Sequence, residues 1–264
     1  TLIWTPLLPY MVKIVTGIIR ESANVPQELS VPMYLDTKLL QQPVAALRLT
    51  VEEVIRCGRV TEELLSEISG AVWIDDTGAL QPLFEKADQV RRLNEQITEY
   101  LSDLSASGSM SEDQANEAVG IMCLLSDLDR ITYLCQEILD SFKDKIEKKY
   151  KYSKDAMKDL EKGLGLVMEM YSDSLWMVLD GSDNDKEKRE KKLRKKKEKI
   201  LDLSLSMRKA HMDRISKGKC SAKLTKPFHK ILNALDRMSN SCANIAEMGF
   251  PNLILLGGIE EQRE

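Results

Sequence analysis

An all-α fold of two tandem three-helix bundles, preceded by the remnant of a transmembrane helix, is what this sequence predicts. Three observations carry that reading. Charged residues make up 30% of the 264-residue chain and aromatics 5%, with few Pro and Gly to interrupt long segments; that balance favours helix over sheet. Apolar residues recur at three- and four-residue spacing through most of the chain. A short pattern also occurs twice, as Leu128-Asp129-Arg130 and Leu235-Asp236-Arg237, with its two leucines 107 positions apart. A repeat on that scale marks two similar helical units.

The chain opens on residues 1–19, an apolar stretch in which Lys13 is the one charge between Leu2 and Ile19. Its length approaches the ~20 residues that cross a bilayer, and Trp4 and Tyr10 suit a membrane interface. It lacks the basic region and small-residue cleavage site of a signal peptide. With Thr1 in place of an initiator Met, the segment is expected to end a transmembrane carrier region. A buried arm packed on the bundles is the alternative. Residues 20–41 then form a polar linker, in which Pro26 and Pro32 turn their predecessors away from helix.

The first unit is expected over residues 42–150. Val44, Leu47, Val51, Val54, Ile55 and Leu65 predict a helix over 42–69. Asp75-Asp76-Thr77-Gly78 signals a turn. A second helix is expected over 82–104, with Pro82 acceptable in a first turn, and Gly108 ends that region. Ser111-Glu112-Asp113-Gln114 is a capping box that opens a third helix, running to about residue 149. The second unit, 151–249, repeats the plan with helices over 155–179, 186–216 and 225–248. Gly181-Ser182-Asp183-Asn184 and Gly218 separate them. The tail, 250–264, contains the apolar run NLILLGG, and its role is open.

Charge and cysteine content narrow the chemistry. A net charge of −4 implies no overall affinity for nucleic acid. The five cysteines are odd in number and contain no C-x-x-C pair, so neither a disulfide scaffold nor a zinc knuckle is indicated. Cys123, Cys135 and Cys242 fall in apolar helical stretches and are expected to pack as small hydrophobes. His211 and His229 are not at metal-ligand spacing with each other or with a cysteine, and are expected at the surface or in a helix seam. The sequence contains no P-loop, G-x-S-x-G or H-E-x-x-H motif. No catalytic residue is assigned and the chain is not expected to be an enzyme.

Two constellations remain. Asp127, Asp129, Asp236 and Asn240 are candidate metal ligands, because carboxylates on one helix face hold hard or transition-metal cations; the alternative is solvated charge beside a packing seam. The run 186–199 has ten Lys or Arg against three Glu. There Lys191, Lys192, Arg194, Lys195 and Lys196 are candidate contacts to anionic lipid, and a solvated helix face with i,i+4 ion pairs is the alternative. No aromatic interleaves this run, which argues against nucleic acid.

Leu125 to Ile131, with Asp129-Arg130 at its centre, resembles the signature of PhoU-type domains. Asn233 to Glu247 looks like a second copy, ending in Asn244-Ile245-Ala246-Glu247. Tyr34-Leu35-Asp36, Leu39-Leu40, Pro43 and Ala46-Leu47 are similar to the opening of one branch, the PhoU-like tail of bacterial sodium-dependent phosphate cotransporters. Leu93-Asn94 through Tyr100-Leu101, and Arg208 to Arg214 with Gly218 and Cys220, extend the likeness. The apolar opening 1–19 is similar to that branch's last membrane segment.

The resemblance implies a regulatory region facing the cytoplasm at the inner (plasma) membrane. It would be attached to a carrier that couples sodium entry to inorganic phosphate movement. The implied partners are that preceding carrier domain, with sodium and phosphate handled through it, and a second copy as a homodimer. It also implies a divalent or iron metal on the acidic helix faces. Here the motif departs from the family pattern: Asp129 stands for Glu, Tyr133 and Asn240 stand for the last Asp, and Ala234 stands for the leading Asp of the second copy. Bundle packing is therefore the firmer expectation. Two alternative functions stand beside this one, a soluble PhoU-type phosphate-signalling adaptor binding a partner protein and metal, and a generic membrane-tethered interaction domain.

Overall fold

The computed structural model describes residues 29–180 and 186–248. The expected transmembrane remnant at 1–19 and the tail at 250–264 lie outside these residues. Six α-helices follow in order: α1 (Pro43–Ala71), α2 (Gln81–Ala106), α3 (Glu112–Glu147), α4 (Lys154–Asp180), α5 (Lys186–Ser216) and α6 (Thr225–Glu247). No strand occurs among the described residues, and none of their helices is long and apolar enough to cross a membrane.

Local chemistry sets the boundaries. Pro43 occupies the first turn of α1 and Pro82 that of α2, where the missing N–H costs nothing. Ser111 caps α3 through its side chain, and Gln114 returns the bond to the Ser111 amide at 2.9 Å. Gly108 and Gly218, just past α2 and α5, both adopt φ of +66°, the left-handed conformation that a Cβ disfavours. These two stops lie 110 positions apart, so the duplication extends to the middle helix of each unit.

In each unit the three helices pack against one another. The units also share a seam: α3 lies along α6, and α1 lies against α4. One apolar core runs through both, from Ala46 and Leu47 on α1 to Ile245 on α6. Cys135 and Cys242, which the 107-residue offset relates, are both fully buried on the two facing helices. Cys123 departs from expectation: it is exposed, on the outward side of α3. On the α1–α4 contact, the Tyr171 hydroxyl donates to the Gly58 carbonyl at 2.9 Å. A Cβ at Gly58 would come within 2.8 Å of Leu175 Cδ1, so a larger residue there would make the Leu175 side chain shift.

Two buried charges hold the periphery. Glu53, with no exposed surface, accepts the amides of Met33 (2.7 Å) and Tyr34 (2.8 Å) and pairs with Arg56 at 2.5 Å. Arg56 in turn donates to the Val31 carbonyl at 2.9 Å, so residues 29–34 are strapped onto α1. Lys145 on α3 donates to the carbonyls of Val72 (3.4 Å) and Ile74 (3.1 Å), which lie past the end of α1 and lack helical partners.

Candidate functional site

The repeated Leu-Asp-Arg pattern places its residues on different faces of α3 and α6. Leu128 and Leu235 point into the core. Asp127 is also turned inward, where Asn244 of α6 donates to it at 3.3 Å. Two positions along, Asp129 faces the opposite way, because a step of two residues rotates a side chain by roughly 200° about the helix.

Asp129 opens onto a cleft of about 520 Å³ between α2 and α3, lined by Arg91, Asn94, Glu95, Thr98, Glu99 and Ser126 among others. Asn94 fixes one wall by donating to the Leu125 carbonyl at 2.8 Å. Arg91 bridges Asp88 (3.1 Å) and Glu95 (3.0 Å). Burial pushes the Asp129 carboxyl above its ordinary value; the Arg91 charge opposes the shift and Glu95 adds to it. The cleft is thus open and mixed in charge, with one carboxyl raised by its burial.

The second unit closes the equivalent place. By the 107-residue offset, Ser126 and Asp129 correspond to Asn233 and Asp236. By the 110-residue offset of the middle helices, Asn94 and Thr98 correspond to Ser204 and Arg208. Arg208 reaches Asn233 Oδ1 at 2.9 Å and Asp236 Oδ2 at 3.1 Å, and the Ser204 hydroxyl donates to the same Asp236 oxygen at 3.2 Å. Where Thr98 leaves space in the first unit, a guanidinium fills it in the second.

Asp127, Asp129, Asp236 and Asn240 therefore do not fit a shared metal ion. Asp127 is engaged at the seam, Asp129 faces the cleft, Asp236 holds a guanidinium where a cation would sit, and Asn240 is exposed and neutral. Among the described residues, no group of three or more His, Cys, Asp or Glu is placed to hold a metal. Sequence reading missed Arg91 and Glu95 beside Asp129, and Arg208 as the partner of Asp236. The second offset relates Arg208 to Thr98, and the structure then shows that Arg208 meets Asp236.

The histidines lie in the second unit. His211 is fully buried, its ring stacked on Phe228 at 4.4 Å between centroids, with Nε2 3.4 Å from the Thr225 hydroxyl and Nδ1 3.8 Å from Cys220 Sγ. Burial, with Arg214 and His229 nearby, pushes the imidazole down, while burial pushes the Cys220 thiol up. Both directions oppose a thiolate–imidazolium pair.

Of the basic run, Lys196 pairs with Asp173 of α4 at 2.8 Å and with Glu169 at 3.4 Å, and Lys192 pairs with Asp173 at 3.4 Å. Lys191, Arg194 and Lys195 are exposed on α5.

Residues 54–142 match the PhoU domain. The match runs from within α1 to near the end of α3 and contains the whole wall of the open cleft. Known structures extend the likeness to the full fold. The phosphate transport system regulatory protein PhoU from Streptococcus pneumoniae superposes with a TM-score of 0.64 at 18% identity, covering 83% of this chain and 97% of that one. PhoU from Pseudomonas aeruginosa gives 0.59 at 16% identity, covering 78% and 94%. No curated protein sequence matches the chain. The six described helices thus adopt the PhoU-like bundle arrangement, and the sequence match resides in the first unit.

Proposed function

We propose that this chain is a PhoU-type regulatory module that adjusts phosphate transport or its signalling by docking on a partner protein, as an adaptor rather than an enzyme. The observation that supports it most is the PhoU-domain match over the residues that build the α2–α3 cleft. The fold likeness to a phosphate transport regulator is in keeping with it. The cleft is the face we assign to the partner or its ligand, since its second-unit counterpart is filled by Arg208.

The test is genetic. Deletion of the gene alters phosphate uptake or the starvation response, and the wild-type chain restores it. Thr98→Arg, which copies the second unit's own filled arrangement, fails to restore it while the folded protein accumulates normally. A deletion strain with unchanged uptake and unchanged starvation response sinks the proposal.

A second reading is favoured by the apolar composition of residues 2–19. In it the module is the cytoplasmic tail of a sodium:phosphate symporter and acts in cis on the carrier. Sodium-dependent phosphate uptake by the complete reading frame, altered on removal of residues 37–264, would support it. Uptake that is independent of sodium would remove it.

A further inference from the structure

Charge is distributed unevenly along this chain. Residues 186–199 carry ten Lys or Arg against three Glu, a net of +7, while the whole chain is −4, so the remainder bears −11. The run forms the N-terminal half of α5, where the helix macrodipole is already positive, so basic residues there cost the helix stability. Packing uses only part of it. Leu193 and Ile200 enter the core, and Lys192 and Lys196 reach across to Asp173. Lys188, Lys191, Arg194, Lys195 and Lys199 lie on the exposed side. At the edge of this face stands Trp176 of α4, 49% exposed, with the Arg189 guanidinium 3.9 Å above its ring.

A basic helix face bordered by one large amphipathic ring suits a surface of lipid phosphates, where Trp settles at headgroup depth. Single-stranded nucleic acid would call for a series of aromatic platforms, and this face has one. We propose that the N-terminal half of α5 docks on an anionic bilayer surface, with Lys191, Arg194 and Lys195 against lipid phosphates and Trp176 at the headgroup level. The acidic remainder of the chain is repelled by the same surface, which orients the molecule with α5 toward the lipid. This docking is independent of the phosphate-regulatory reading.

Vesicle flotation of the full chain tests it. Partition is expected onto phosphatidylcholine vesicles that contain phosphatidylglycerol, and it weakens as salt is raised. Each basic residue near the surface contributes about fivefold. The triple variant Lys191→Gln, Arg194→Gln, Lys195→Gln therefore loses roughly a hundredfold in partition. Lys219→Gln, Lys223→Gln, Lys226→Gln, exposed residues between the end of α5 and the first turn of α6, leaves it unchanged. In a Trp4→Phe, Trp73→Phe background, Trp176 emission shifts to the blue on anionic vesicles. Equal partition onto vesicles with and without phosphatidylglycerol overturns the proposal, as does loss in the control triple or retention in the α5 triple. Salt-sensitive binding to RNA or to an acidic protein, with no vesicle binding, overturns it too and reassigns the face.

Discussion

Glu53 is where a single atom change tests the packing most severely. Its carboxylate has no exposed surface and serves three donors, the Met33 and Tyr34 amides and the Arg56 guanidinium. Glu53→Gln preserves volume but replaces one acceptor by an NH₂ group. Whichever way the amide turns, a donor then faces a donor, either at Arg56 or at the two backbone N–H groups. Disabling one partner of a buried ion pair costs about 3–5 kcal/mol. Arg56 keeps its bond to the Val31 carbonyl and retains 16% exposure, which offsets part of the loss. We expect about 3 kcal/mol, the lower end of that range. For a fold of this size each kcal/mol lowers the melting temperature by about 2–4 °C, so the fall is about 6–12 °C. Urea denaturation followed by circular dichroism measures it, and protease cleavage within 29–40 should accelerate in parallel. A loss below about 1 kcal/mol, the size of an exposed pair, refutes the account. So does simple additivity with Arg56→Gln, because residues in one network couple.

Three further outcomes are expected. Lys145→Met keeps the buried stem but strands the Val72 and Ile74 carbonyls; a loss of about 2 kcal/mol in urea is expected, and Asp75→Asn, at an exposed partner, should cost far less. Asp129→Asn should leave neutral-pH stability equal to or above that of the native chain, because burial raises the native carboxyl; the gain shrinks as pH falls and Asp129 takes up its proton, and a marked loss at neutral pH contradicts this. His211 and His229 are both held below the ordinary value of 6.5, so the unfolded chain binds protons first and stability falls as pH drops below about 6.5. His211→Phe should flatten that slope in urea midpoints measured from neutral to mildly acidic pH, and an unchanged slope counts against it.

Helix content was legible because it depends on local periodicity. The helix expected over 155–179 forms as Lys154–Asp180, and that over 186–216 forms as Lys186–Ser216. The Ser111 capping box appears with both bonds, since its partners lie three residues apart. What escaped was long-range. The Asp127–Asn244 contact spans 117 positions, and nothing in either residue type names the other. Asp129 and Asp236 read alike in sequence, yet one faces an open cleft and the other a guanidinium. The difference arises from Thr98 and Arg208 on neighbouring helices. Cys123 and Cys135 both sit in apolar stretches, but only Cys135 faces the seam. A step of 12 residues rotates a side chain by roughly 120° about a helix, enough to separate wall from core.

The continuous core between the units has a mechanical consequence. A duplicated protein with a loose waist works like tweezers, closing on what it binds. Here α3 on α6 and α1 on α4 leave no waist, and apolar side chains cross the junction without a break. Opening it would expose the centre of the core, which sets a hydrophobic cost against hinging. If the chain regulates as proposed, its message lies in occupancy: which faces are covered, by what, and for how long.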